Sequence, residues 1–166
     1  MNQVLIALCS LTNLAGLQNL GLLGQLSTCK FFAGYLTLRA YGIERADSND
    51  PVTLALMGQV LTALDGNVIP ASEIASLMKG SSLTMIDAEI IYAVRNMNFS
   101  AVACDSELSA SVFIVQLSGL TLLNSLDLLS LAIEQGQLSV QDAIGARALI
   151  DSKTGVLPES KNDYFI

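Results

Sequence analysis

The sequence predicts an α/β domain in which a mostly parallel central sheet carries helices on both faces. Short apolar runs, suited to strands that are buried on both faces, alternate with segments whose apolar residues recur at helical spacing. Strands that alternate with helices in this way usually pair in parallel, because each helix returns the chain to the edge where the previous strand began. A length of 166 residues, of which 52% are hydrophobic, fits one domain with a substantial core. We therefore expect a single domain over residues 1–166.

The first half of the chain predicts one strand followed by three helices. Residues 3–9 form a continuous apolar run, which is typical of a buried strand. Leucine repeats at helical spacing over 13–26 and predicts a helix despite three internal glycines, and a second helix is expected over 31–41. The polar segment 44–51, ERADSNDP, has turn chemistry and predicts an exposed loop. An apolar stripe then predicts a helix over 52–64.

In the second half of the chain, short predicted strands alternate with helices, and Gly, Pro, Ser and Asn residues separate these elements. The predicted elements are a strand at 67–70, helices at 72–79 and 84–97, a strand at 101–104, a helix at 106–117, a strand at 119–123, and helices at 125–134 and 139–150. No glycine-rich phosphate loop and no clear repeat interrupts this order.

The charge balance and the absence of histidine narrow the possible chemistry. The chain has 8 basic and 15 acidic residues, a formal net charge of −7 and no histidine. Catalysis by Ser-His or Cys-His pairs and zinc binding by histidine are therefore excluded, and carboxylates are left as the main catalytic groups. The basic residues are scattered and form no stripe, so tight unaided binding of nucleic acid is not expected.

The cysteines and the uncharged N-terminal segment indicate in which cellular compartment the protein is expected. Cys9, Cys29 and Cys104 are too few and too far apart for a disulfide framework or a CxxC site, and each lies in or beside an apolar run. Residues 1–29 carry no charge, but a signal peptide would need a basic start, and a membrane span would have to bury several Asn and Gln side chains. We expect reduced thiols, mostly in the core, in a cytoplasmic protein that makes no membrane contact.

The most informative stretch is residues 83–105, with the sequence LTMIDAEIIYAVRNMNFSAVACD. It predicts a helix with Asp87 near its start and then a short apolar strand that ends on Asp105. Ligands of open α/β sheets bind beyond the carboxyl ends of the strands, and an acid placed there could hold a hard cation through its oxygens. The pattern therefore points to metal-assisted cleavage of phosphodiesters.

Most of the chain resembles PIN-domain proteins, especially their toxin-like subgroup. The C-terminal half of that subgroup is similar to LTMIDAEIIYAV and to AVACDSELSASVFIVQLSGLTLLNSLDLLSLAIEQGQLS, which place an acid at a helix start, an acid after a strand, and a strand and helix before a glycine turn. The PIN entry strand and first helix resemble VLIALCSLTNLAGLQNLGLL. The resemblance implies a three-layer PIN-like fold.

Members of this family are typically Mg²⁺- or Mn²⁺-dependent ribonucleases with a site of clustered acids, and many are toxins paired with an antitoxin. The resemblance maps two of these acids onto Asp87 and Asp105 and implies that both are catalytic residues and metal ligands. The family's first aspartate falls at Ala7, and a family glutamate falls near Arg39. A guanidinium at that position would repel Mg²⁺, so the implied site is incomplete.

Each of these acids also has a structural interpretation. Thr84 and Asp87 have the spacing of a capping box, with Thr84 as N-cap and Asp87 at the third helical position. Asp105 could cap the helix that follows it. Glu89 and Glu107 are expected to be solvated charges on helix faces, because charged side chains are mostly exposed.

Two functions remain open at this stage. The first is a degenerate PIN-like domain that acts by binding a second copy or an antitoxin-like protein partner, with a contact surface of apolar helix faces from residues 52–64 and 125–150. The second is an active Mg²⁺- or Mn²⁺-dependent ribonuclease that recruits Glu44 or Asp47 into the vacant position. RNA is a partner, and a metal is a cofactor, only in the second case.

Overall fold

The computed structural model describes residues 2–19, 26, 29–43 and 50–154. Within them, five strands form one sheet and eight helices pack around it. The strands are β1 (Asn2–Ile6), β2 (Cys29–Ala33), β3 (Leu61–Ala63), β4 (Ala101–Ala103) and β5 (Thr121–Leu123). The helices are α1 (Leu8–Asn19), α2 (Tyr35–Tyr41), α3 (Pro51–Met57), α4 (Ala71–Met78), α5 (Met85–Asn96), α6 (Glu107–Gln116), α7 (Ser125–Glu134) and α8 (Val140–Thr154).

The sheet is parallel throughout, as the sequence predicts, and its strands lie in the order β3-β2-β1-β4-β5. The chain runs outward from β1 to β3 and then returns to the other side of β1 for β4 and β5. The order therefore reverses between β1 and β4, where Ile6 lies opposite Ala103. At such a reversal, the loops that follow neighbouring strands diverge and leave a crevice at the carboxyl edge of the sheet.

Alternating residues of β1 point to two separate apolar layers. Val4 and Ile6 pack into a cluster with α1, α3, α7 and α8, whereas Leu5, and Ala7 directly after the strand, pack into a second cluster with α4, α5 and α6. A strand whose side chains are buried on both faces belongs to the middle of three layers. The arrangement is consistent with a three-layer PIN-like fold.

Apart from the strand at 67–70, the sequence predictions for the second half of the chain are confirmed with small shifts at the ends. Helices α4 to α7 and strands β4 and β5 occupy the predicted segments, and α8 continues a little farther, to Thr154. Local signals define these elements well. Thr84 caps α5, and Asn124 and Asp127 form a complete capping box at the start of α7.

The boundary between the first strand and the first helix was predicted wrongly. The predicted strand at 3–9 ends at Ile6, and the helix predicted at 13–26 begins at Leu8. Both elements are buried at this junction, so the apolar run continues from one into the other without a break. Hydrophobic periodicity cannot locate a boundary inside such a run.

Two strands were missed because short apolar strands were absorbed into predicted helices. The helix predicted at 31–41 contains most of β2, and only the part after Gly34 is helical. The helix predicted at 52–64 contains α3 and then β3, which has only three residues. A strand this short offers too few residues for an alternating pattern to be recognised.

The strand predicted at 67–70 is a turn. The side chain of Asp65 accepts a hydrogen bond from the backbone N–H of Asn67, and its carbonyl accepts one from Val68. An aspartate that bonds to the backbone two residues ahead is a typical turn former. Of the loop predicted at 44–51, residues 44–49 lie outside the described residues, and Asp50 caps α3 through the N–H groups of Val52 and Thr53.

Across the described segments, none of the helices combines the length and the apolar composition that a membrane crossing requires.

Candidate functional site

Asp105 is the second residue after β4 and joins three neighbouring segments at the carboxyl edge of the sheet. Its Oδ2 accepts hydrogen bonds from Nδ2 of Asn13, at 2.9 Å, and from Oγ of Ser125, at 2.7 Å. Its Oδ1 accepts a third bond, at 2.7 Å, from the backbone N–H of Ser125. Asn13 lies on α1, after β1, and Ser125 begins α7, after β5. One carboxylate therefore connects the segments that follow β1, β4 and β5.

The Asp105 carboxylate is buried, and both of its oxygens accept hydrogen bonds. Asp105 is 5% exposed, and Asn13 and Ser125 are 0% exposed. A buried carboxylate is stable only when donors satisfy its oxygens, and three donors do so here. The N-cap interpretation of Asp105 was wrong, because the side chain of Ser106 caps α6 instead.

Asp87 occupies the first turn of α5, as the capping pattern predicts. The backbone N–H of Asp87 donates to Oγ1 of Thr84 at 3.1 Å, so Thr84 is the N-cap and Asp87 takes the third helical position. A carboxylate at this position is favoured by the helix dipole. Since α5 leads into β4 and runs against the strands, Asp87 lies at the same edge of the sheet as Asp105. The two aspartates share none of their described hydrogen-bond partners.

The described residues do not fit the family's acidic metal centre. Ala7, at the position of the first family aspartate, is a buried apolar residue whose N–H bonds to the carbonyl of Ala103. Arg39 is exposed in the last turn of α2, and no ion pair joins it to Asp87 or Asp105 within the described part of the chain. The described segments also contain no group of three or more His, Cys, Asp or Glu side chains that could hold a metal ion. A metal ion at Asp105 would have to share the carboxylate with its three hydrogen-bond donors.

Glu44 and Asp47, the acids that an active nuclease could recruit, lie outside the described residues. The roles of Asp87 and Asp105 as catalytic residues and metal ligands stay predictions of the family resemblance.

Glu89 is a structural feature of the fold for which the sequence prediction was wrong. It was expected to be solvated, but it is 1% exposed. Its carboxylate accepts hydrogen bonds from the N–H of Leu36 at 2.6 Å, from the N–H of Thr37 at 3.1 Å, and from Oγ1 of Thr37 at 2.9 Å. Glu107, in contrast, is exposed as predicted.

The position of Glu89 explains why α2 begins after a glycine. Gly34 is the N-cap of α2 and has no side chain with which to accept the first N–H groups of the helix. A Cβ at Gly34 would overlap the carboxylate of Glu89. Glu89 on α5 therefore acts as the cap of α2, 52 and 53 positions earlier in the chain. Glu89 lies four positions before the buried Ala93, so both are on the core-facing side of α5. The burial of Glu89 could have been predicted from that helical spacing.

An apolar cavity of about 310 Å³ lies beside Glu89, between α2, α4 and α5. Tyr35, Ile69, Ile74, Met78 and Met85 contribute to its walls. Neither Asp87 nor Asp105 lines it, and the carboxylate of Glu89 is already engaged by α2. The cavity is thus separate from the acids that carry the family resemblance.

The predicted core placement of the cysteines is confirmed. Cys29 and Cys104 are buried, Cys9 is half-buried, and none of the three forms a disulfide. Cys9 and Cys104 nevertheless lie next to each other, with 3.6 Å between their Sγ atoms. No spacing in the sequence indicates this pair.

Neither family models, nor curated proteins, nor solved structures yield a match to this chain. The resemblance to PIN domains therefore stays a prediction, and the function has to be argued from the residues themselves.

Proposed function

We propose that this chain is a protein-binding domain of PIN-like architecture that pairs with a second copy through the outer face of α6. The observation that carries the proposal is the exposure of three large apolar residues on one helix. Leu108 and Val115 are each 80% exposed, and Ile114 is 64% exposed. Leu108 and Val115 lie on the same side of the helix, two turns apart, and large apolar residues exposed together in this way mark contacts with other proteins.

The inner face of the same helix is equally apolar. Phe113 is 0% exposed and Leu117, which ends the helix, is 6% exposed, and both pack into the cluster formed with α4 and α5. The outer face, which carries Leu108 and Val115, therefore leaves large apolar side chains exposed to solvent opposite a buried apolar face. Since the sheet covers only one side of α6, a partner is expected to cover the other.

A second copy of the chain suits this face better than a basic partner does. The only charged residue of α6 is Glu107, at its first position, so the exposed face offers nothing for a basic surface to pair with. Two copies with a net charge of −7 each repel one another in most orientations. An uncharged apolar face is the place where they can meet with the least repulsion.

The face is also self-complementary about a two-fold axis. Leu108 and Val115 are separated by two helical turns, or about 10.5 Å. An axis that crosses α6 between Ser111 and Val112 places Leu108 against the partner's Val115, and the reverse pair is then made as well. Ser111 is small, and its hydroxyl already donates to the carbonyl of Glu107 at 2.9 Å. Covering Ser111 with a partner therefore leaves no hydroxyl donor without an acceptor.

The engaged state of Asp105 favours this binding role over nuclease chemistry. Its carboxylate works as a structural tie, with three donors from Asn13 and Ser125. The segments predicted as contact surfaces expose Leu54 on α3 and, one turn apart on α8, Val140 and Ile144. Each of these is 41–46% exposed, about half as much as Leu108 and Val115. The α6 face therefore replaces them in the proposal.

Sedimentation equilibrium tests the proposal on the full chain. The wild type should show a reversible dimer, with a mass twice the 17.5 kDa of one chain, at micromolar concentrations. Val115→Glu should raise the dissociation constant roughly tenfold or more, because it places a charge in an apolar contact. Val68→Glu is the matched control, since Val68 is another exposed valine on a turn far from α6 in sequence, and it should leave the dimer intact.

Two outcomes would contradict the proposal. The first is a wild-type protein that remains monomeric at high micromolar concentration, and the second is an equal effect of Val115→Glu and Val68→Glu. Mn²⁺-dependent cleavage of RNA that is lost in both Asp87→Asn and Asp105→Asn would instead favour the nuclease alternative.

A further inference from the structure

Two cysteines meet where the strand order of the sheet reverses. Cys9 is the second residue of α1, after β1, and Cys104 is the first residue after β4. The N–H of Ala7 donates to the carbonyl of Ala103 at 2.9 Å. This hydrogen bond holds the carboxyl ends of β1 and β4 side by side. As a result, the Sγ atoms of two residues that are 95 positions apart lie within 3.6 Å of each other.

The two thiols of this pair differ in their access to solvent. Cys104 is 6% exposed and belongs to the core cluster, whereas Cys9 is only half-buried and packs at the edge of that cluster. The thiol of Cys104 also approaches the carbonyl of Ser106 at 3.4 Å. A reagent from solvent therefore reaches Cys9 first, because Cys104 lies deeper in the core.

The two thiols also differ in acidity. The hydrogen bond from the Cys104 thiol lowers the pKa of Cys9 to about 6, with help from backbone hydrogen bonds of Ser106 and Asp105, while burial and the charge of Asp105 act in the opposite direction. The same contact with Cys9, together with burial, raises the pKa of Cys104. The contact therefore favours the thiolate at Cys9 rather than at Cys104, and the N-terminal end of α1 acts in the same direction.

We propose that Cys9 is an oxidative modification site, at which a peroxide oxidises the thiolate to a sulfenic acid and Cys104 then closes a Cys9–Cys104 disulfide. The proposal concerns this chain independently of its partner, because neither cysteine lies on the exposed face of α6.

Both steps balance with a peroxide as the only oxidant. The Cys9 sulfur attacks hydrogen peroxide, so that an S–O bond forms, the O–O bond breaks, and hydroxide leaves and takes a proton to become water. The Cys104 sulfur then attacks the Cys9 sulfur, so that the S–S bond forms and the S–O bond breaks. The departing hydroxide takes the proton of the Cys104 thiol and leaves as water. Two electrons pass from the two thiols to the peroxide.

The geometry requires only a small movement for the second step. A disulfide has an S–S distance of about 2.05 Å, so the two sulfurs, now 3.6 Å apart, must approach by about 1.6 Å. Rotation of the Cys9 side chain in the first turn of α1 can supply much of this approach, because Cys9 is not enclosed on all sides. Cys29 lies far from this pair, since its register partner on β1 is Asn2, at the opposite end of the strand from Cys9.

The test treats the reduced full-length protein with hydrogen peroxide and follows the intact mass and the thiol content after denaturation. The wild type should lose two thiols and about 2 Da, and fragmentation of the digested protein should locate the bond between Cys9 and Cys104. Cys104→Ser should stop at the sulfenic acid, which a dione reagent traps. Cys9→Ser should slow thiol loss roughly tenfold or more, because only thiolates react readily.

Cys29→Ser is the matched control and should behave as the wild type does. The proposal is overturned if Cys9→Ser loses thiols as fast as the wild type, or if the wild-type disulfide joins Cys29 or two separate chains. The mapping of the wild-type disulfide decides the question even if a variant fails to fold, since a bond between any other pair, or no bond under conditions that oxidise the thiols, counts against it.

Discussion

The amide Nδ2 of Asn13 donates a hydrogen bond of 2.9 Å to Oδ2 of Asp105, 92 positions later in the chain. Both side chains are buried, and Ser125 completes the set of donors to the carboxylate. Because Asn13, Asp105 and Ser125 follow three neighbouring strands, this group of hydrogen bonds fixes the carboxyl edge of the sheet. The stability of the domain should therefore depend on the charge and shape of one side chain.

Asp105→Asn should lower the free energy of unfolding by about 2–3 kcal/mol, because an amide nitrogen would face donors that now bond to a carboxylate oxygen. Asp87→Asn, at the exposed start of α5, should cost less than about 1 kcal/mol, since only its interaction with the helix dipole is lost. Urea titration followed by circular dichroism measures both values. Equal losses in the two variants would contradict the structural role of Asp105.

Glu89→Gln should lower the free energy of unfolding by about 2–3 kcal/mol. The carboxylate accepts two N–H groups and one hydroxyl at the start of α2, and the glutamine amide group can accept at only one of its two ends. Glu134→Gln, on the exposed end of α7, is the matched control and should change stability by less than about 0.5 kcal/mol. Thermal unfolding of the three proteins decides the point, and a Glu89→Gln variant as stable as the control would show that α2 does not need this cap.

Ser10→Ala should leave the protein equally stable or make it more stable by about 1 kcal/mol. Ser10 is 0% exposed, and its hydroxyl finds no hydrogen-bond partner among the described residues, so the alanine removes a buried polar group that gains nothing from folding. Ser125→Ala is the contrasting change and should be destabilising, because its hydroxyl donates to Asp105 at 2.7 Å. A clear loss of stability in Ser10→Ala, measured by urea unfolding, would mean that this hydroxyl has a partner.

The cysteine pair predicts a pH dependence with two opposite limbs. The pKa of Cys9 is lowered to about 6 from an ordinary value of 9.0, so the folded protein releases this proton earlier, and the unfolding free energy should rise with pH between these two values. The pKa of Cys104 is raised, so the unfolded chain releases that proton earlier and stability should fall above pH 9. Unfolding free energies measured from pH 5 to 10 should show this rise and fall relative to Cys9→Ser. Parallel pH profiles for the two proteins would contradict the assignment.

The sequence determined those features that depend on residues close together in the chain. The cap of α5 by Thr84 spans three positions, and the capping box of Asn124 and Asp127 also spans three. Helical periodicity and turn residues placed α4 to α8 with little error, and the alternation of strands and helices was enough to predict a parallel sheet. Such caps can be recognised in the sequence because the two residues that form the hydrogen bond lie within one turn of the same helix.

Only the tertiary structure decided which distant residues meet at the carboxyl edge of the sheet. Whether Glu89 faces solvent or caps α2, whether Asp105 caps a helix or binds Asn13, and whether Cys9 is alone or paired with Cys104 all depend on the order β3-β2-β1-β4-β5. The missed strands β2 and β3 show the same dependence, since a short apolar segment becomes a strand only when a neighbouring strand supplies its hydrogen bonds. These contacts span 52 to 95 positions. They form because strand pairing brings together the segments that follow the strands, which no local sequence pattern encodes.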